Sequence, residues 1–275
     1  MHQRASHPFS IPFRLGGVAA ALAFCSAAGA AQVKVMVTIE NLAPTNSVSF
    51  APLHVGFSSG SFDAFNIGQT AGAAIISVAE LGGGAEWQAA FAAAEPNSMR
   101  GVIGGALLPG QSNSATFLVD TMTNPFFTFA SMALPSNDSF IGNDSPMQYQ
   151  LFDAAGKLLI ASINQKASDI WDAGSEIFDT NAAAFVTGSD ATARTPENSV
   201  VAFNFDDLKK FDGVTTAAGY VFESGLGADS DVYRISFQVV PEPETFALML
   251  PGLLAVGWVG RRRRKQGPES TLSPV

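Results

Sequence analysis

Two stretches of strict alternation frame residues 32–240. Val33, Val35, Val37 and Ile39 alternate with Lys34, Met36 and Thr38, and near the other end Tyr233, Ile235, Phe237 and Val239 alternate with Arg234, Ser236 and Gln238. A period of two sends alternate side chains to opposite faces, so both stretches read as half-buried β-strands. Short apolar runs recur between them at Ala115–Val119, Phe126–Met132, Met147–Phe152, Leu158–Ile163, Val200–Phe205 and Tyr220–Glu223, separated by Gly, Pro, Asn and Asp. Such spacing predicts an all-β chain, an antiparallel β-sandwich, interrupted by one or two short helices. Ala85–Ala94 is the helix candidate: it is Ala-rich and places Trp87 and Phe91 four residues apart on one face. Val48–Phe57 is broken by Pro52, which makes it either an edge strand or two short pieces. Gly82-Gly83-Gly84 has no Gly-Lys-Ser/Thr after it, so it forms no phosphate cradle and reads as a flexible hinge. No internal repeat supports a solenoid or propeller.

Beyond this region the chain carries Pro241-Glu242-Pro243, an apolar run from Phe246 to Gly260, and then Arg261, Arg262, Arg263, Arg264 and Lys265. As a helix the run reaches about 22 Å, short of the roughly 30 Å hydrocarbon core. The basic cluster against one end stays cytoplasmic and leaves everything before Pro241 outside. Pro251 and Gly252 suit a membrane helix better than a soluble one, and no amphipathic stripe marks the run as a packed core helix. In their order, Val-Pro-Glu-Pro, apolar run and Arg cluster resemble the PEP-CTERM sorting signal, here residues 241–265, with 266–275 as a disordered tail. That resemblance implies a Gram-negative bacterium, an exosortase-type protease acting near Pro241–Pro243, a transient inner-membrane anchor, and delivery to the cell surface or exopolysaccharide matrix.

An export signal should then open the chain. Arg4 and Arg14 supply a positive n-region, Leu15–Phe24 an apolar h-region and Ala28-Gly29-Ala30 a cleavage site, which makes residues 1–31 a signal peptide. Cys25 is preceded by Phe24, where a lipoprotein box needs a small residue. With Cys25 removed, the mature chain contains no cysteine and must hold together by packing, with or without a metal. Residues 32–240 hold eight Lys and Arg against 21 Asp and Glu, a net charge of −13. This surface repels nucleic acid and anionic lipid, and it suits Ca²⁺, a cationic partner, or simply solubility.

Two segments concentrate acids where strands should end: Pro135–Asp144, with Asp138 and Asp144, and Trp171–Glu176, with Asp172, Glu176 and Asp179 close behind. Loops at one end of a sandwich can supply the hard oxygens that Ca²⁺ takes, although Asp and Asn are also common turn residues, and neither segment fits an EF-hand. At these loops, residues 32–240 resemble the spondin N-terminal domain. The segments Leu134–Gly142, Trp171-Asp172-Ala173-Gly174 and Phe50–Glu80, with Ala79-Glu80-Leu81-Gly82, carry the likeness. The resemblance implies a C2-like sandwich with a Ca²⁺ cofactor at one end, ligated by Asp138, Asp172 and Glu176. Glu176 stands where the family usually has Asp, and Ser139-Phe140 replaces its more usual aromatic after the first Asp. Trp171 reads as a core or rim anchor that positions Asp172.

Catalytic motifs are scarce. After removal of residues 1–31, His54 is the one histidine and lies in an apolar strand-like run, so a His-based zinc site is excluded and His54 reads as structural or exposed rather than as a catalytic base. A carboxylate-pair glycosidase stays open. The expected function is therefore non-enzymatic: Ca²⁺-dependent adhesion or organisation of a matrix, with an exopolysaccharide or matrix protein as partner. The alternative is a carboxylate-dependent enzyme acting on surface polysaccharide.

Overall fold

The computed structural model describes residues 32–241. The expected signal peptide and the segments beyond Pro241, including the apolar run and Arg cluster, lie outside the described residues. Among the described residues no helix is long and apolar enough to cross a membrane.

The two framing strands are direct partners. β1 (Gln32–Asn41) pairs antiparallel with β12 (Asp231–Val240), with Val35 opposite Val239, Val37 opposite Phe237 and Ile39 opposite Ile235. They form the centre of a four-stranded sheet completed by β5 (Ser112–Asp120) beside β1 and β9 (Ser162–Lys166) beside β12. Their inward residues alternate as the sequence does, with Val35, Val37, Ile39 and Ile235 fully buried.

The second sheet is larger. Its path runs β11 (Ala202–Phe203), β10 (Trp171–Asp172), β7 (Ser139–Gly142), β6 (Phe126–Leu134), β3 (Leu53–Ser58) and β4 (Met99–Ile103). β2 (Ser49–Phe50) and β8 (Tyr149–Gln150) also pair with β6. The apolar stretch across Pro52 therefore becomes two pieces, β2 and β3, because Pro52 has no N–H to give the ladder.

The expected sandwich is present, and a third layer lies over it. Val55, Phe57, Phe127 and Phe129 face the small sheet and share its core with Tyr233 and Phe237. On the opposite face of the large sheet lie α1 (Ala73–Ala79) and α2 (Ala85–Ala94), where Trp87 and Phe91 pack with Phe62, Phe65, Phe140 and Trp171. Both faces of β3 are thus covered, and all six of its residues are buried. Gly56 allows this: a Cβ there would meet the Phe91 ring at 1.9 Å.

The three glycines do not form a hinge. Gly84 has φ of 57°, caps the start of α2, and would bring a Cβ to 2.4 Å from the His54 ring, while Gly82 sits against Ala51. They make a packed turn, fixed by its positive φ and by the close approach of its neighbours. His54 is buried beneath it, with Nε2 at 3.2 Å from the Gly82 carbonyl, and burial lowers its pKa. Its role is structural.

Candidate functional site

The turn between β6 and β7 and the end of β10 meet at one pole of the sandwich. β10 pairs with β7 so that Trp171 lies opposite Phe140 and Asp172 opposite Ser139. The alternation of a strand then separates the two neighbours. Trp171 turns into the helix-covered core, donating its indole N–H to the Gly142 carbonyl at 3.1 Å and stacking on Phe203 with ring centres 3.7 Å apart. Asp172 turns the other way and lines an open cleft of about 590 Å³. This is the anchoring role expected of Trp171.

All three predicted site residues line that cleft, together with Glu197 and Asp207. Asp138 is 4% exposed, and its Oδ2 accepts hydrogen bonds from the backbone N–H of Ser175 (2.7 Å), the Ser175 hydroxyl (3.3 Å) and the backbone N–H of Glu176 (3.0 Å). Burial and the nearby Asp172 charge push Asp138 up to about 7, against those hydrogen bonds. Asp172 accepts from the Gly174 N–H at 2.6 Å and the Asn204 amide at 3.3 Å. Burial, aided by the charges of Asp207 and Glu197, raises it too.

Glu176 is 4% exposed and is also pushed up to about 7, by burial first and then by Glu80 and Asp138. It is held on its other side: Arg194 Nε stands 3.6 Å from Oε1, and Arg194 also pairs with the buried Glu80 at the end of α1. The structure thus brings Asp138 and Asp172 together at the cleft and draws Glu176 into an ion triad. Among the described residues no three His, Cys, Asp or Glu side chains gather into a group that could hold a metal ion by themselves.

Arg194 had no local signal. It sits 18 residues from Glu176 in an irregular segment between β10 and β11, tied back by the Glu176–Pro196 and Ser136–Ala184 bridges. Lys210, which lines the cleft, is paired to Asp207 at 2.9 Å and lies over the Phe178 ring. The cleft is therefore a wall of carboxylates and neutral oxygens, from Asn137, Ser139, Ser199 and Asn204, with an aromatic margin of Phe178 and Phe211. Its donors are hard oxygens throughout, which suit Ca²⁺ rather than a soft or imidazole-seeking metal.

Residues 239–264 match the PEP-CTERM protein-sorting motif. That places the chain among exported proteins directed to the cell surface through exosortase-type machinery. The match begins within β12, at Val239, so the sorting motif follows the last strand of the sandwich without a spacer. No curated protein matches the chain.

Proposed function

We propose that the exported chain is a non-enzymatic, spondin-like sandwich that binds Ca²⁺ in its polar cleft and acts in adhesion or organisation of the extracellular matrix. One observation carries the reading: Asp138 and Asp172 stand on the wall of the same oxygen-lined cleft, where the Asp172 charge adds to the cost of ionising the buried Asp138. A bound divalent cation relieves that repulsion. Asp138 and Asp172 would hold the ion, with serine and asparagine oxygens and water completing the six to eight ligands that Ca²⁺ takes. Glu176 would contribute only by leaving Arg194. The resemblance of Trp171-Asp172-Ala173-Gly174 to the spondin motif supports the same end of the sandwich, and the sorting motif supports a surface or exopolysaccharide setting.

The test is Ca²⁺ titration of the processed protein, followed by thermal melting, with Asp172→Ala alongside. A bound ion at 100 times its dissociation constant adds about 2.7 kcal/mol of stability. A Ca²⁺-dependent rise in Tm that is lost in Asp172→Ala supports the reading; equal Tm with Ca²⁺ and with chelator in both proteins overturns it.

The raised carboxyl of Asp138 beside Asp172 favours a second reading, a carboxylate-dependent enzyme acting on surface polysaccharide. New reducing ends released by the wild-type protein, and not by Asp138→Asn, would support that reading over the first.

A further inference from the structure

Both ends of the described chain leave the sandwich at one pole, and the cleft opens at the other. Lys34, near the start of β1, pairs with Val240, the last residue of β12. Gln32 pairs with Asp120 at the end of β5, and the turn that follows leads straight into Phe126, the start of β6. From there β6 runs the length of the fold to Leu134, and the next residues, Pro135–Asp138, form the cleft wall. Nine residues of strand rise about 30 Å. At the cleft pole the far end of β1 is fixed as well, since Asn41 donates to the carbonyls of Val48 and Leu107 next to β2.

The link to the sorting segment is short. Val240 is still in the ladder, and five residues separate it from Phe246, where the apolar run begins. Fully extended, that link reaches about 20 Å. The pole bearing Val240 is therefore held close to whatever surface holds the apolar run.

We infer that, while its tail is in the membrane, the chain stands on the pole formed by Gln32, Val240 and the 121–125 turn. The acidic cleft then faces outward, towards partners on the extracellular side rather than towards lipid. Electrostatics act in the same direction, because a cleft walled by Asp138, Asp172, Glu197 and Asp207 is repelled by an anionic membrane surface. The inference rests on the sorting-motif reading of the tail and is independent of whether the cleft holds Ca²⁺.

Residues 32–275 contain no cysteine, so single-cysteine labelling is direct. The full chain is produced in an exporting host that lacks the tail-processing protease, carrying Thr123→Cys at the near pole or Ala202→Cys at the cleft; both positions are exposed. Spheroplasts are labelled with a fluorescent maleimide, and energy transfer to a lipid-headgroup acceptor is measured. Met122→Cys and Ser199→Cys, also exposed, provide a second pair should either first variant misfold. The expected result is severalfold stronger transfer from position 123 than from position 202. Equal transfer, or stronger transfer from 202, in membrane-bound chain overturns the orientation alone. Recovery of the unprocessed chain outside the membrane fraction overturns the tether and the orientation with it.

Discussion

Asp138 Oδ2 accepts the backbone N–H of Glu176 at 3.0 Å and so fastens the long irregular segment after β10 to the start of β7. With Ser175 it makes three such contacts from one buried oxygen, and it carries the like-charge coupling to Asp172 at the same time. Substitution should separate the two roles. Asp138→Ala removes the acceptor and is expected to cost about 2–3 kcal/mol by leaving buried donors unmet. Asp138→Asn keeps an acceptor and removes the repulsion, so urea unfolding at pH 8 in chelator should show a much smaller loss. Equal losses in both variants would mean that the latch is not what Asp138 contributes.

Acidity should stabilise the protein in the absence of divalent cations. Asp138 and Glu176 are both pushed up to about 7 in the fold, above the roughly 4 of an unfolded carboxylate. The folded state therefore binds protons more tightly, and this contribution is complete below about pH 4 and lost as pH rises through about 7. In chelator, Tm should fall between pH 5 and pH 8, and Asp138→Asn should flatten the slope. On the proposed Ca²⁺-binding reading, added Ca²⁺ should flatten it as well, by replacing the protons.

Arg194 compensates two buried carboxylates at once, Glu80 and Glu176. Removing one partner of a buried pair costs about 3–5 kcal/mol, and because Arg194 is itself partly exposed Arg194→Ala should cost about 2 kcal/mol. Chemical denaturation of Arg194→Ala and of the double variant Arg194→Ala/Glu80→Gln checks this, with the second change expected to recover part of the loss.

Glu95 closes α2 onto the turn after β3. Its two oxygens accept from the N–H and hydroxyl of Ser59 and from the N–H groups of Ser61 and Phe62. Burial opposes ionisation, but these hydrogen bonds together hold its pKa below the usual value. Its stabilisation is therefore present above the unfolded carboxylate pKa and lost as pH falls through the lower folded value. Glu95→Ala should cost about 3 kcal/mol by urea unfolding at pH 7.

Gly56→Ala tests the third layer. The new methyl group must displace the Phe91 ring, at a cost of about 1–3 kcal/mol. The double variant Gly56→Ala/Phe91→Leu should lose less than the sum of the two single changes, as measured by a thermodynamic cycle.

What the sequence disclosed follows from how local each cause is. The alternation of β1 and β12 and the Trp87–Phe91 spacing of α2 depend on neighbouring residues, and both were legible. α1 was not: it is seven residues long, is preceded by Gly72, which offers no side-chain cap, and has no acid in its first turn. β7 was hidden inside an acid-rich segment that reads as a loop, because Ser139–Gly142 is buried by pairing with β6 and β10 rather than by its own pattern. The runs at Met147–Phe152 and Val200–Phe205 shrink to the two-residue strands β8 and β11, and Tyr220–Glu223 to one bridge between Thr215 and Val221. Asp138 and Asp172 reach one cleft, as their place at strand ends suggested, whereas the hold of Arg194 on Glu176 depends on a long-range contact that no spacing encodes.

The pairing of β1 with β12 also orders events in time. The first strand of the exported domain to emerge must wait for the last, some 200 residues later, before the small sheet can close. Contacts so distant in sequence make folding slow, because the chain entropy of a very long loop is lost before the ladder repays it. Val239 and Val240, which complete that ladder, are also the first two residues of the sorting motif. The strand that closes the sandwich and the motif that directs sorting thus overlap, so the last piece the fold needs is also the first piece the sorting machinery reads.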